Sequence, residues 1–275
     1  MSIFDNVEAL AERIPNGALV AMPPEYSWVS TAMVRALIAR QARDLHLLCV
    51  PIGGLAVDML VGAGCVATLE AAAVSLGEAG LAPRFTDAVQ TGAIRMKDST
   101  CPAIHAGLQA GEKGVPFMPL GGLIGSDIEA NHPDWTVVDD PLGDGNGPIT
   151  LIRAIRPDFA LFHCPKADRE GNVWIGKRRE LMTMAHAAKQ TVVTVEEVAD
   201  TDFLADDTLA AGTLPNLYLS GVAEAKGGAW PLALPGCYEA DRAEIADYAR
   251  QAKTPEGFRA YLDRLAAAQH PDAAE

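Results

Sequence analysis

The sequence predicts an α/β protein, with a mostly parallel, twisted sheet covered by helices on both faces. Three observations predict it. Short apolar runs without polar alternation recur at 45–50, 159–163 and 191–195, as expected of strands buried on both faces. Turn residues and a helix-compatible stretch at 180–189 separate the last two, so strand, loop, helix and strand form a βαβ unit. The same alternation of apolar strand, glycine or proline turn and amphipathic helix then runs along most of the chain.

Each element has its own local warrant. Residues 6–14 read as a short amphipathic helix stopped by Pro15-Asn16-Gly17, and 18–22 as a strand leading into Pro23-Pro24-Glu25-Tyr26. Helix 30–41 and strand 45–50 precede a glycine-rich passage, Pro51 through Gly64. Strand 65–74 delivers the loop Ser75-Leu76-Gly77-Glu78-Ala79-Gly80, at the strand end where open α/β sheets bind ligands. Helix 82–91, a short strand at 94–97 and a helix at 99–112, capped by Ser99 or Thr100, follow. Pro116 to Gly122 reads as a turn, and 127–148, rich in Asp, Pro, Gly and Asn, as a flap-like surface loop. Pro157-Asp158 introduces the run at 159–163, Pro165 stops it, and Arg169-Glu170-Gly171-Asn172 is turn chemistry. An acidic loop at 201–215, a strand at 217–222 and turns at 227–231 and 235–238 complete the sheet region. A helical pair, 241–252 and 255–268, closes a single domain over 1–275; Thr254-Pro255-Glu256 opens its second helix.

Composition narrows the function. With 49% hydrophobic and 21% charged residues the chain is an ordinary globular protein. No apolar run reaches the roughly 18 residues of a membrane span. The amino terminus, Met-Ser-Ile-Phe-Asp-Asn-Val-Glu, lacks the basic segment of a secretory signal, so a cytoplasmic location is expected. A net charge of −14 disfavours nucleic acid, whose binding needs Lys and Arg on phosphates. The cysteines (Cys49, Cys65, Cys101, Cys164, Cys237) have no Cys-x-x-Cys spacing and no accompanying His cluster, which argues against disulfides and a zinc site. No metal is expected.

The passage Pro51-Ile52-Gly53-Gly54-Leu55-Ala56-Val57-Asp58-Met59-Leu60-Val61-Gly62-Ala63-Gly64 lacks the third glycine and the distant acid of a dinucleotide fingerprint. It leaves two readings: tight turns bracketing a helix, or a backbone-amide cradle for an anion at a helix start. A calcium loop at Gly143 to Gly147 lacks the required ligand spacing.

Longer strings carry a more specific signal. Lys166-Ala167-Asp168-Arg169-Glu170-Gly171-Asn172-Val173, the run from Met184 to Lys189, and Val193-Thr194-Val195-Glu196-Glu197-Val198 resemble the family I CoA-transferases, most closely the alpha subunit of the glutaconate CoA-transferase type. Tyr238-x-Ala240-Asp241 and Thr254-Pro255-Glu256-Gly257-Phe258 are similar to that subunit's tail, so the resemblance spans nearly the whole chain. It implies a CoA-transferase-like fold and places the Gly53-Gly54 passage near the acyl pocket.

It also implies chemistry. Family members use a glutamate that attacks an acyl-CoA thioester, giving an acyl-glutamyl anhydride and then a glutamyl-CoA thioester. Tetrahedral oxyanions form on the way and need backbone N–H donors nearby. The nucleophile of the family lies in a Ser-Glu-Asn-Gly-like motif on the beta subunit, and this chain has no such motif. The resemblance therefore implies an alpha-type subunit of an acyl-CoA:carboxylate CoA-transferase, with the nucleophile supplied by a beta-type partner. Acyl-CoA and a small carboxylic acid are the implied substrates; coenzyme A is a substrate, and no covalently bound cofactor is expected. Glu78 is the runner-up nucleophile, and Gly53, Gly54, Ser75, Gly77 and Ser99 are the candidate substrate contacts. Glu25 is a weaker pocket candidate; Glu196-Glu197 read as structural, one facing solvent and the other a loop. Lys177-Arg178-Arg179 is the basic cluster that could meet CoA phosphates or simply open a solvated helix, and His163 and His186 read as packing or hydrogen-bonding residues. Two further readings remain open: a CoA-ester hydrolase cleaving a cyclic diketone, as in steroid-ring degradation, and a non-catalytic ligand-binding protein on the same fold.

Overall fold

A computed structural model describes residues 2–143 and 147–269. In chain order the first half contains β1 (Ser2–Phe4), α1 (Val7–Ala11), β2 (Leu19–Met22), α2 (Thr31–Ala39), β3 (Leu45–Cys49), β4 (Ile52–Gly53), α3 (Leu55–Gly62), β5 (Val66–Ala71), β6 (Ala73–Val74), α4 (Pro83–Thr91), β7 (Arg95–Asp98) and α5 (Cys101–Glu112). The second half contains β8 (Phe117–Leu120), α6 (Asp127–Ala130), β9 (Trp135–Val138), β10 (Ile149–Arg153), β11 (Phe159–Asp168), β12 (Val173–Trp174), α7 (Arg179–Ala187), β13 (Gln190–Ala199), β14 (Thr213–Leu214), β15 (Gly221–Glu224), α8 (Arg242–Gln251) and α9 (Pro255–Gln269).

The main sheet has the order β1-β15-β13-β11-β2-β3-β5-β7, and every neighbouring pair along it is parallel. Helices cover both faces. Within β3, Leu45, Leu47 and Cys49 enter one core with α2, α3, α8 and α9, whereas Leu48 enters another with α5 and α7. Strand β11 splits the same way, Phe159 and Leu161 on one side and Ala160, Phe162 and Cys164 on the other. Two-sided burial is why these strands are continuous apolar runs. The buried thiols of Cys49 and Cys65 are pushed up by desolvation, to about 12 and about 11, and behave as small apolar groups.

From β2 the chain builds outward through β3, β5 and β7; from β11 it builds the opposite way through β13 and β15. The strand order therefore reverses between β2 and β11, the switch point beyond whose carboxyl ends open α/β sheets bind ligands. Their pairing is confined to Phe159↔Val20 and Ala160↔Ala21.

Some elements differ from the sequence reading. The strand read at 65–74 breaks at Ala72, because β6 pairs with β4 in a separate two-stranded sheet. The stretch 127–148 is not a bare loop: it contains α6 and β9, and β9 joins β10 and the strand β8, read as a turn, in an antiparallel sheet. Its strands are half exposed, so they carry too little apolar patterning to stand out from the surrounding Asp, Gly and Pro. Residues 144–146, the centre of the rejected calcium loop, lie outside the described residues. Residues 216–218 form a 3₁₀ turn, and the strand read at 217–222 starts at Gly221. No helix among the described residues is long and apolar enough to cross a membrane.

Candidate active site at the carboxyl ends of the sheet

Past Met22, Pro23-Pro24 turn the chain into a 3₁₀ turn, Glu25–Ser27, that carries Glu25 across the end of β3 to the start of α3. The Glu25 carboxylate accepts the Leu55 amide N–H in a very short hydrogen bond. Gly54, the N-cap of α3, supplies no side-chain cap, so the carboxylate takes that office. A Cβ on Gly54 would collide with the Glu25 carboxyl group, so a larger residue there requires that carboxyl to move aside. Gly53 is tight for another reason, since its Cβ would lie 2.8 Å from Cys49 Sγ. Desolvation pushes the Glu25 carboxyl up to about 7, against the Leu55 and Ala56 amides, with Asp58 adding to the rise. The backbone-amide cradle at the glycine passage thus exists, and the chain's own carboxylate fills it.

The neighbouring loop is built on the same unit. Gly53 pairs with Val74 across the β4–β6 sheet, and the Ser75 amide donates to the Gly53 carbonyl at 3.1 Å. Gly77 (φ +59°) and Gly80 (φ +99°) turn the chain in conformations that favour glycine. Between them Glu78 stands 86% exposed, accepting from Arg242 Nη1 at 2.7 Å. An ion pair this exposed restrains a side chain only weakly. The structure thus brings Gly53, Gly54, Ser75, Gly77 and Glu78 together. Ser99 does not join them: it is buried, with its hydroxyl facing a cavity between the main sheet and the β8–β10–β9 sheet.

Across the crevice lies a network that sequence reasoning resolved only in part. His163, fully buried in β11, contacts Thr194 Oγ1 at 2.8 Å through Nδ1 and Glu196 Oε1 at 2.7 Å through Nε2. Thr194 continues to Ser30 Oγ, the N-cap of α2, at 2.6 Å. Glu196 also accepts from Tyr238 Oη at 2.7 Å, from the Gly227 amide at 2.8 Å and from the Gly228 amide at 3.2 Å. Glu197, its neighbour, is exposed. Desolvation would raise the Glu196 carboxyl, but the bonds from His163, Tyr238 and Gly227 outweigh it and hold it down at about 2. Burial lowers the His163 imidazole against the pull of Glu196 and keeps it neutral near pH 7. A carboxylate this stabilised is a poor base and a poor nucleophile at neutral pH, so the network is a brace. Gly227 and Gly228 lie in a stretch read as a turn, and Tyr238 in one read both as a turn and as part of the string similar to the family's alpha-subunit tail.

Two other sequence features find their places. Arg178 lies over the Trp28 ring at 5.8 Å and donates to Ser27 Oγ at 3.4 Å, while Lys177 and Arg179 are exposed. Trp28 itself adopts the left-handed conformation (φ 71°), rare for a bulky residue. The Asp168-to-Asn172 string is a staple: the buried Asp168 carboxylate accepts from the Asn172 amide and side chain, each at 2.8 Å, and from the Phe203 amide at 3.1 Å. Asn172 in turn accepts the Asn216 amide at 2.8 Å.

Comparison with known proteins places this geometry. Residues 5–224 match the family described as Coenzyme A transferase. The chain is 31% identical to the A-type subunit of the 3-oxoadipate CoA-transferase of Pseudomonas knackmussii, over 93% of this chain and 90% of that one. It is 30% identical to the cholesterol ring-cleaving hydrolase IpdA subunit of Rhodococcus jostii, over 84% and 80% of the two chains. The crystal structure of glutaconate coenzyme A-transferase from Acidaminococcus fermentans superposes with a TM-score of 0.85 over 98% of this chain and 94% of that one, at 23% identity, and shares the fold. Matched along most of its length by the family and along nearly all of it by an A-type relative, the chain is a subunit of the coenzyme A transferase family, of the A type.

Proposed function

We propose that this chain is one half of a cytoplasmic acyl-CoA:carboxylate CoA-transferase whose B-type partner subunit supplies the nucleophilic glutamate. One observation carries the proposal: none of the carboxylates Glu25, Glu196 and Glu78 is set up to attack a thioester. Glu25 caps α3, Glu196 is saturated by His163, Tyr238 and two amides, and Glu78 points into solvent toward Arg242. No Ser-Glu-Asn-Gly string accompanies them.

In the proposed reaction a glutamate carboxylate of the partner attacks the thioester carbonyl, the C–S bond breaks, and CoA thiolate leaves an acyl-glutamyl anhydride. The thiolate then attacks the glutamyl carbonyl of the anhydride and expels the original acid, leaving a glutamyl-CoA thioester. The acceptor acid reverses these steps and carries CoA away. This chain shapes the acyl side of the crevice with Gly53, Gly54, Ser75 and Gly77, and the His163–Glu196 brace fixes the opposite wall. Short dicarboxylic substrates are the first to try, in keeping with the 3-oxoadipate relative.

The test is reconstitution. The chain alone should give no transfer, and adding the B-type partner should give CoA exchange between 3-oxoadipate or acetate and succinyl-CoA. Borohydride should trap a glutamyl thioester on the partner. Full activity without a partner, or trapping on Glu78, would refute the assignment. The ring-cleaving relative supports a second reading, hydrolysis of a cyclic diketone CoA ester. CoA-ester ring opening by water, with no trapped thioester, would favour it.

A further inference from the structure

On the α5 side of the main sheet, near the β5–β7 edge, the apolar pattern gives way to charge. His46, Glu70 and Lys97 project from β3, β5 and β7 into a cavity of about 290 Å³ roofed by the antiparallel sheet. Room on this scale holds several water-sized groups, since water occupies about 30 Å³ in the liquid.

Its polar lining is unequally satisfied. The Lys97 ammonium bridges Glu70 at 3.0 Å and Asp134 at 2.6 Å, so the place between two carboxylates that a metal cation would take is already filled. Ser99 is 3% exposed and His132 4% exposed, yet the Ser99 hydroxyl and both His132 ring nitrogens lack a hydrogen-bond partner among the described residues, as does His46 Nε2. Each histidine stands 3.8 Å from Glu70, too far for a hydrogen bond. The His132 ring is held flat on Trp135, with centroids 3.8 Å apart and planes 8° from parallel, so it cannot easily swing away to find a partner. Buried polar groups are normally satisfied, and several unsatisfied ones around one polar cavity point to something they are shaped to meet.

The lining also carries Arg153 and Arg156, both exposed, the second donating to the Val115 carbonyl at 3.1 Å, so with Lys97 it holds three cations and two carboxylates, in a chain of net charge −14. The unsatisfied groups are a hydroxyl and imidazoles, all able to donate.

We infer that this cavity binds a compact oxyanion, a carboxylate of a few carbons or inorganic phosphate, held by the Ser99 hydroxyl and the His46 and His132 imidazoles. The inference does not depend on the transferase reading, because it uses none of Glu25, Glu78, His163 or Glu196.

The test is proton NMR of the histidine C2–H resonances in the full chain, assigned with His46→Gln and His132→Gln. Sodium acetate, succinate and phosphate are titrated separately against sodium chloride at matched ionic strength. Saturable shifts of both His46 and His132 with at least one of these anions are expected, with His186 unmoved. Carboxylates acting without phosphate identify a carboxylate site; phosphate acting as well identifies a general oxyanion site. Ser99→Ala, which removes one small hydroxyl, should weaken the dissociation constant about tenfold while leaving the thermal midpoint within about 2 °C. Shifts that match chloride or stay linear overturn the proposal, as does a Ser99→Ala affinity equal to wild type.

Discussion

Gly54→Ala should unseat Glu25, and the cost should vanish when Glu25 is removed with it. The new methyl would overlap the carboxyl carbon and both carboxyl oxygens of Glu25. Gly54 has φ −148° and ψ −136°, outside the left-handed region, and the clash with Glu25 is the contact an added methyl would meet. Expelling the carboxyl leaves the Leu55 amide without its acceptor, at roughly 1–3 kcal/mol, and crowding adds roughly 1–3 kcal/mol where the side chain cannot retreat. Gly54→Ala should therefore cost roughly 2–6 kcal/mol, a fall in midpoint on the order of 10 °C. Glu25→Ala should cost roughly 1–3 kcal/mol by leaving the Leu55 amide without its acceptor. In the double variant the methyl enters the space the carboxylate vacated, so the combined cost should not exceed that of Glu25→Ala. Urea unfolding of the four proteins measures this coupling, expected near 2 kcal/mol or more and favourable. Strictly additive costs would show that Gly54 is glycine for a reason other than Glu25.

Further predictions use the same site and its supports. The Glu25 carboxyl sits near 7 in the folded chain against 4.5 ordinarily, so its stabilising effect is full below about pH 4.5 and lost as pH rises through 7. Thermal midpoints of wild type should consequently fall relative to Glu25→Gln across that window, and parallel profiles would contradict the burial argument. Asp168→Ala strips the acceptor from three donors in the hairpin staple and should cost roughly 3–5 kcal/mol by chemical denaturation; a loss under about 1 kcal/mol would mean the staple is not structural. Glu78→Gln should leave stability within about 0.5 kcal/mol, because its pair with Arg242 is exposed. Reconstituted with the proposed B-type partner, it should keep the proposed transfer within roughly tenfold, whereas a collapse beyond about a thousandfold would move the nucleophile onto this chain.

What the sequence determined by itself follows from burial on both sides of the sheet. Runs such as 45–50, 159–163 and 191–195 can be stable only as strands covered on two faces, and the intervening helices supply the cover, so the α/β class was legible. The Glu196-Glu197 pair was legible as well: at the end of a strand one side chain turns to the loop and the next to solvent, and Glu196 took the Gly227-Gly228 amides. Tertiary structure decided the rest. The glycine passage read equally as turns or as an anion cradle, because its occupant, Glu25, arrives from a different strand thirty positions away. The β8–β10–β9 sheet was hidden because half-exposed edge strands carry little apolar signal, and with it went the cavity around Glu70, Lys97 and His132. Composition can announce strands and helices; it cannot say which distant charges the fold will bring within hydrogen-bond reach, since that depends on sheet order, and sheet order is fixed by long-range packing.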